Sequence, residues 1–314
     1  MQQYKSIDLL GKRFPSDLRQ PYYVPHQMRW LGPNTKVCAI GSCFATNFSR
    51  WIALQNVPVI SPVWGLHYNS RTIAEEIRKA TGAQINRVIW KILEENGKYK
   101  YYDAKRHPVF ADTEENLFQT VSDIEIKASV AVADADAFII TLGLSEIWEQ
   151  RTNSGWEVLN RSPLSQHVEQ GLPDVRSRFQ SINEIITDLK EIVSAIDQTG
   201  GPIRPIVFTV SPVPLKTTGA DIDARIANTR SKATLISALH NFLEIIQKPG
   251  RASVFYFPAY EQFQYTDTDE QIWQRDMRHI HASKIDKVCF SFCHMFADDP
   301  DRFSLLPDFS VPLV

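Results

Sequence analysis

Five short apolar runs recur along the chain, each ending at or running into Gly, Pro or Ser. They are KVCAIG (36–41), VPVI (57–60), AFIITLG (137–143), PIVFTVSP (205–212) and SVFYFP (253–258). Continuous apolar runs of this length are what strands covered on both faces require. Helical spacing fills the gaps between them. Phe44, Phe48, Trp51 and Ile52 predict a helix from about residue 42. Asn69 or Ser70 can cap another over 71–80, stopping near Gly82. Residues 113–132 read as helical. Val175, Phe179, Ile182, Ile186, Leu189, Val193 and Ile196 form one stripe, which predicts a helix over about 174–197. Two more are expected over about 229–247 and 282–297. Strands alternating with helices demand right-handed crossovers and a parallel sheet covered on both faces. The expected fold class is therefore α/β, a three-layer α/β/α sandwich.

Two turn signals interrupt this pattern, ENGK at 95–98 and NSG at 153–155. They predict β-hairpin insertions at about 86–110 and 148–172. The expected organisation is one domain over 36–300. A proline-punctuated lead-in (1–35) precedes it and a short tail (301–314) follows.

Charge and composition exclude several functions. Lys and Arg number 34 against 36 Asp and Glu, which leaves no basic footprint for nucleic acid. No glycine-rich phosphate loop occurs. No run is long enough to span a bilayer, and the N-terminal residues lack a secretory h-region, so a cytoplasmic chain with reduced thiols is expected. The sequons at Asn47 and Asn160 carry no meaning there. Cys289, Cys293 and His294 lack zinc spacing, and Cys289 falls on an apolar helix face, so no metal site is expected. No cofactor is expected either.

Ligands of open α/β sheets bind beyond the carboxyl ends of the strands. The residues there are Gly41-Ser42-Cys43, Ser61 to Gly65, Gly143 to Glu146, Ser211, and Tyr256 to Glu261. Gly41-Ser42-Cys43 turns directly from strand into helix. Ser42 suits the N-cap, and a Cys in the first helical turn can have its thiolate stabilised by the amides and the helix dipole. Cys43 is thus a candidate nucleophile, against the plainer reading of a capping Ser beside a buried Cys. Asp276 and His279, three apart before the last helix, can pair so that one imidazole nitrogen stays free as a base.

These residues, with further blocks in order, resemble the GSCFA family, whose name stands here as Gly41-Ser42-Cys43-Phe44-Ala45. The blocks are GLHYN (65–69), TLGLSEIW (141–148), FTVSPVPL (208–215), NTRSKATL (228–235), YFPAYE (256–261) and DMRH (276–279). The resemblance covers about residues 36–296. It implies a relationship to the SGNH (GDSL-type) hydrolases and their flavodoxin-like sandwich. Laid on the SGNH blocks, Cys43 takes the nucleophile position and Ser42 that of an Asp. Gly65 takes the place of an oxyanion-hole glycine. Gly143 to Glu146 covers the third block, with Ser145 where the pattern has Asn. Asp276 and His279 match the last block fully. The implied activity is acyl-ester hydrolysis or acyl transfer through an acyl-enzyme. Cys43 or Ser42 would be the nucleophile, and Cys43, Gly65 and Ser145 would hold the oxyanion. The other class open to such a chain is a degenerate fold that binds a glycan or acyl ligand without turnover.

Further candidates are weighed the same way. His107 and Ser211 could line the site. Arg230 and Lys232, in the block that opens with Asn228, could hold an anionic substrate group, or could cap a helix or lie in solvent. Glu146 could act behind the site or pair with Arg. Trp64 and Trp148 could stack on a ligand or pack in the core. The expected substrate is a small-molecule or glycan ester, with an acyl-CoA thioester as one candidate donor.

Overall fold

The computed structural model describes residues 14, 17–18, 22, 29–60, 64–163, 170–171, 174–200, 202–246 and 254–311. Five parallel strands form the central sheet: β1 (Val37–Gly41), β2 (Val59–Ile60), β6 (Ala137–Leu142), β10 (Ile206–Val210) and β11 (Val254–Phe257). Their order is β11-β10-β6-β1-β2. The chain therefore leaves β1 toward one edge, then returns to build the other side on β6. This is the doubly wound order, and its switch point lies between β1 and β6.

Alternation along β1 explains the two-sided cover. Cys38 and Ile40 face a core built with α2 (Ser70–Ala80), α3 (Glu114–Asp134), α4 (Ile182–Gln198) and α5 (Ala224–Ile246). Val37 and Ala39 face the other core, built with α1 (Cys43–Leu54), α6 (Ala259–Gln264) and α7 (Ala282–Phe296). Helix α1 is tied to α7 by a buried bond from Trp51 Nε1 to Asp286 Oδ1 at 2.6 Å. The three-layer expectation holds. Leu31 pairs with Ala297, and Phe303 and Phe309 are buried in the second core, so both flanks of the domain pack on it.

The insertions are each one strand larger than the hairpins expected. The first is a sheet of β3 (Ile89–Leu93), β4 (Tyr99–Asp103) and β5 (Phe110–Ala111). The second is β7 (Glu146–Thr152) between β8 (Gly155–Leu159) and β9 (Val175–Phe179). A small core, including Trp90, Ile92, Trp148 and Leu159, joins the two. The first is also anchored to α2 through buried charge. Arg106 pairs with Asp103 and Glu76 at 2.8 and 2.9 Å, and Lys105 with Glu75 and Glu157 at 3.0 and 2.7 Å.

The expected helix over 174–197 needs correction. Val175 and Phe179, four apart, belong to strand β9, paired antiparallel with β7. The helix starts at Ile182, behind a capping box of Ser181 and Glu184. Helix α5 begins at Ala224, five residues before the expected start.

Candidate active site

A cavity of about 320 Å³ opens at the carboxyl ends of β1, β6 and β10, at the switch point. Its walls include Ser42, Cys43, Tyr68, His107, Glu146, Trp148, Arg161, Ser211 and Arg278. A side chamber of about 80 Å³ shares Cys43, Tyr68 and Arg278 with it and adds His279. Cys43 therefore faces both spaces.

The turn that presents Cys43 has no room for side chains beneath it. Gly41 has φ +141°, and a Cβ there would sit 2.2 Å from the Thr141 carbonyl oxygen on β6. Ser42 is the N-cap of α1, its hydroxyl accepting from the Phe44 amide at 3.4 Å. The Cys43 and Phe44 amides face the Cys43 sulfur and stabilise its thiolate, as do the charges of Arg278 and Lys232. Burial outweighs them, and the thiol titrates above its ordinary value. The expected depression at the helix start is thus reversed.

His279 sits on a tight loop closed by antiparallel pairing of Trp273 with Ile280. The backbone turns through Met277 at φ +55°. One Asp276 oxygen accepts from the amides of Arg278 and His279, at 3.1 and 2.9 Å, and the other faces His279 Nδ1. Those bonds hold the Asp276 carboxyl down at about 2. A carboxylate there assigns the ring proton to Nδ1 and leaves Nε2 as the lone pair. Nε2 lies 3.4 Å from Arg278 Nη1, and no hydrogen bond joins it to Cys43 or Ser42.

A model of the GSCFA family matches residues 36–292. The chain belongs to the GSCFA family. No match was found among curated proteins or among solved structures.

In this GSCFA protein the expected site residues divide into three groups. Cys43, Ser42, His107, Glu146, Ser211 and Gly143 line the larger cavity, and His279 lines the chamber beside it, held by Asp276. Gly143 has its amide committed to the Tyr68 carbonyl at 2.9 Å. Glu146 pairs with no Arg among the described residues; it accepts from Thr218 Oγ1 at 2.8 Å and the Gly219 amide at 2.7 Å, fixing that loop. Ser211 lines the cavity wall.

A second group lies behind the wall. Gly65 does not line either space and packs on the His107 carbonyl. Ser145 is fully buried: its amide is bonded to Ser231 Oγ at 2.7 Å, and its hydroxyl has no partner among the described residues. Neither is placed to reach a ligand, so the oxyanion donors expected beyond Cys43 are not assembled. Asn228 accepts from the Leu215 amide at 3.3 Å and steadies the loop after β10. Trp64 is core. Residues 61–63 lie outside the described residues.

The third group, Lys232 and Arg230, lines neither space. Lys232 neither caps a helix nor reaches solvent; it is 1% exposed. Its Nζ donates to the Gly143 and Ser211 carbonyls at 2.5 and 2.7 Å, pinning the ends of β6 and β10 together. No carboxylate pairs with it among the described residues, and burial brings the amine down to about 7. Arg230 stacks on Phe179, 4.1 Å from the ring centroid, away from the cavity.

Several residues of the site, Arg278 among them, have no role assigned from sequence. Tyr68 lines both spaces, its hydroxyl pushed up to about 12 by burial and the neighbouring Cys43. Arg161 enters from the second insertion. Asn160, one of the two sequons, is buried and fully used. It donates to the Leu66 carbonyl at 2.6 Å and accepts from the Tyr68 amide at 3.0 Å and Thr72 Oγ1 at 3.2 Å. Cys38, Cys289 and Cys293 are buried core thiols, as expected. Among the described residues no cluster could hold a metal, and no helix is long and apolar enough to cross a membrane.

Proposed function

We propose that the protein is a cysteine-dependent acyl-ester or thioester hydrolase or acyltransferase of SGNH-like type. One observation carries the reading: Cys43 and His279 line the same chamber, with His279 oriented by Asp276. In the reaction, His279 Nε2 takes the thiol proton and Cys43 Sγ attacks the substrate's carbonyl carbon. The bond to the leaving alcohol or thiol breaks, and that group departs with the proton from His279. Water or an acceptor alcohol or thiol, deprotonated by His279, then attacks the thioester and frees Cys43. The Cys43 amide, at the start of α1, is the oxyanion donor this chain offers. Candidate substrates are small-molecule or glycan esters and acyl-CoA thioesters.

Cys43 is preferred to Ser42 because the Ser42 hydroxyl accepts the cap bond and, of the two, only Cys43 faces both spaces. The competing reading is a binding module without turnover. It is favoured by Arg278, which stands at His279 Nε2 where the thiol should be. A screen of acyl esters and thioesters with the wild type, Cys43→Ala and Ser42→Ala separates the readings. Turnover lost in Cys43→Ala with an acyl adduct on Cys43 supports the enzyme. Full activity of Cys43→Ala sinks the assignment, and no turnover of any acyl donor favours the binding module.

A further inference from the structure

The two arginines on the cavity wall are unusual in what they lack. Arg161 is half-buried, yet no nitrogen of its guanidinium makes a hydrogen bond or ion pair with any described residue. It rests against the rings of Tyr102 and Trp90, at 5.1 and 5.7 Å from the centroids. Arg278 has its Nε buried and unpartnered, and among the described residues the one hydrogen-bonding contact of its guanidinium is the 3.4 Å approach of Nη1 to His279. Buried donors such as these two Nε groups are almost always satisfied, and a half-buried guanidinium usually meets an anion. Elsewhere in this chain the rule is kept: Arg106, Arg71 and Arg178 all meet carboxylates.

The rest of the wall does not supply a pairing anion: Glu94, whose charge reaches Arg161, makes no ion pair with it and is bonded to the Tyr102 hydroxyl. Glu146 is its one carboxylate among the described residues, and both its oxygens are taken by Thr218 and Gly219. Lys216 adds a further positive charge to the wall, and the cationic end of α1 adds a partial one. Tyr68 feels both arginine charges, so its hydroxyl stands in the field of the pair. A planar fork of N–H donors is shaped for the paired oxygens of a phosphate or carboxylate.

We propose that this cavity is an anion-recognition site. Arg161 and Arg278 hold a phosphate or carboxylate group of the ligand, directing the bond to be attacked toward Cys43. The substrate class is thereby narrowed to acyl donors or acceptors that carry such a group. That narrowing rests on the acyl-transfer reading, whereas the anion site itself does not need turnover.

The test reads binding without catalysis. Alkylation of Cys43 by neutral iodoacetamide is followed by mass spectrometry against rising inorganic phosphate or acetate, with chloride holding ionic strength constant. The other three thiols are buried and serve as internal references. Phosphate or acetate should slow Cys43 alkylation saturably, and whichever acts at lower concentration identifies the anion. Arg161→Gln and Arg278→Gln should each raise the concentration needed about tenfold or more. Arg230→Gln, which changes an arginine outside the cavity, should protect like the wild type. Should either glutamine variant fold poorly by circular dichroism, Arg161→Lys and Arg278→Lys replace them. Those keep the charge but lose the fork, and should still weaken protection several-fold. If neither anion protects the wild type, or if variants at both arginines protect undiminished, the proposal falls, whatever the acyl-donor screen returns.

Discussion

Lys232→Met tests the account of the buried lysine at the base of the site. The substitution keeps the stem and removes the amine that donates to the Gly143 and Ser211 carbonyls. In the folded protein this amine titrates at about 7, against 10.5 for an ordinary lysine. Between those two pH values the unfolded chain holds a proton that the folded chain has released. Folding stability therefore rises with pH through that window, by about 1.4 kcal/mol per pH unit from this group alone. Below pH 7 the ammonium is buried at full cost, and exchanging it for methionine is close to neutral, since lost bonds offset relieved desolvation. Above pH 7 the neutral amine still has two N–H groups for its two carbonyls, and methionine strands both. Urea unfolding of wild type and Lys232→Met from pH 7.5 to 9.5 should show their difference growing by about 3 kcal/mol in favour of the wild type. Cys43 is a coupled titratable neighbour, so both proteins carry Cys43→Ser and Lys232 alone differs between them. A difference constant to within about 0.5 kcal/mol across that range would refute the reasoning, because Lys232 would then not change its charge there.

Gly41→Ala forces a Cβ onto the Thr141 carbonyl at a positive φ; a loss of about 3 kcal/mol or more is expected from denaturant midpoints. Ser42→Ala removes the α1 cap and should cost about 1 kcal/mol of stability while leaving Cys43 the labelled residue in mass spectra. Asp276→Asn should lower acyl transfer by about 10²–10⁴-fold by releasing the His279 tautomer, with circular dichroism unchanged. Because Asp276 stays ionised down to about pH 2, the acid limb of the wild-type rate profile should not extend to its titration. Asn160→Ala frees the 66–72 segment and should destabilise by about 2–3 kcal/mol, read by thermal melts and by faster hydrogen exchange at Tyr68.

The core strands were legible because burial on both faces leaves a one-dimensional signature, an unbroken apolar run such as Ala137 to Ile140. Where burial is one-sided, the pattern misled. Val175 and Phe179 have the spacing of one helix face, and only their pairing with β7 makes them a strand. The capping box at Ser181 and Glu184 was the local signal that could have moved the boundary. Cys43, Asp276 and His279 were found because sequence order and strand ends bring them together. Arg161 was not, since its place on the wall depends on how far an insertion folds back over the sheet. Lys232 escapes the sequence reading for a related reason: helix α5 starts early enough to bring its third turn under two strand ends. Ser145 followed an alignment of blocks, but its hydroxyl is turned into the protein.

The charge network beneath the first insertion bears on how this fold can be recombined. His107, Trp148 and Arg161 reach the cavity from the insertions, while Cys43, Asp276 and His279 belong to the sandwich. Ligand preference could in principle be regrafted by exchanging hairpins. The segment carrying His107 is not modular in that sense, because Lys105 and Arg106 neutralise Glu75 and Glu76 inside α2. A graft lacking both cations would leave Glu75 and Glu76 in the interior with only Arg71 and Lys79 of α2 to balance them, a penalty of about a few kcal/mol. Donor hairpins must bring those two cations, or α2 must be changed with them, so recognition and scaffold in this protein have to be redesigned, or to drift, as a linked pair.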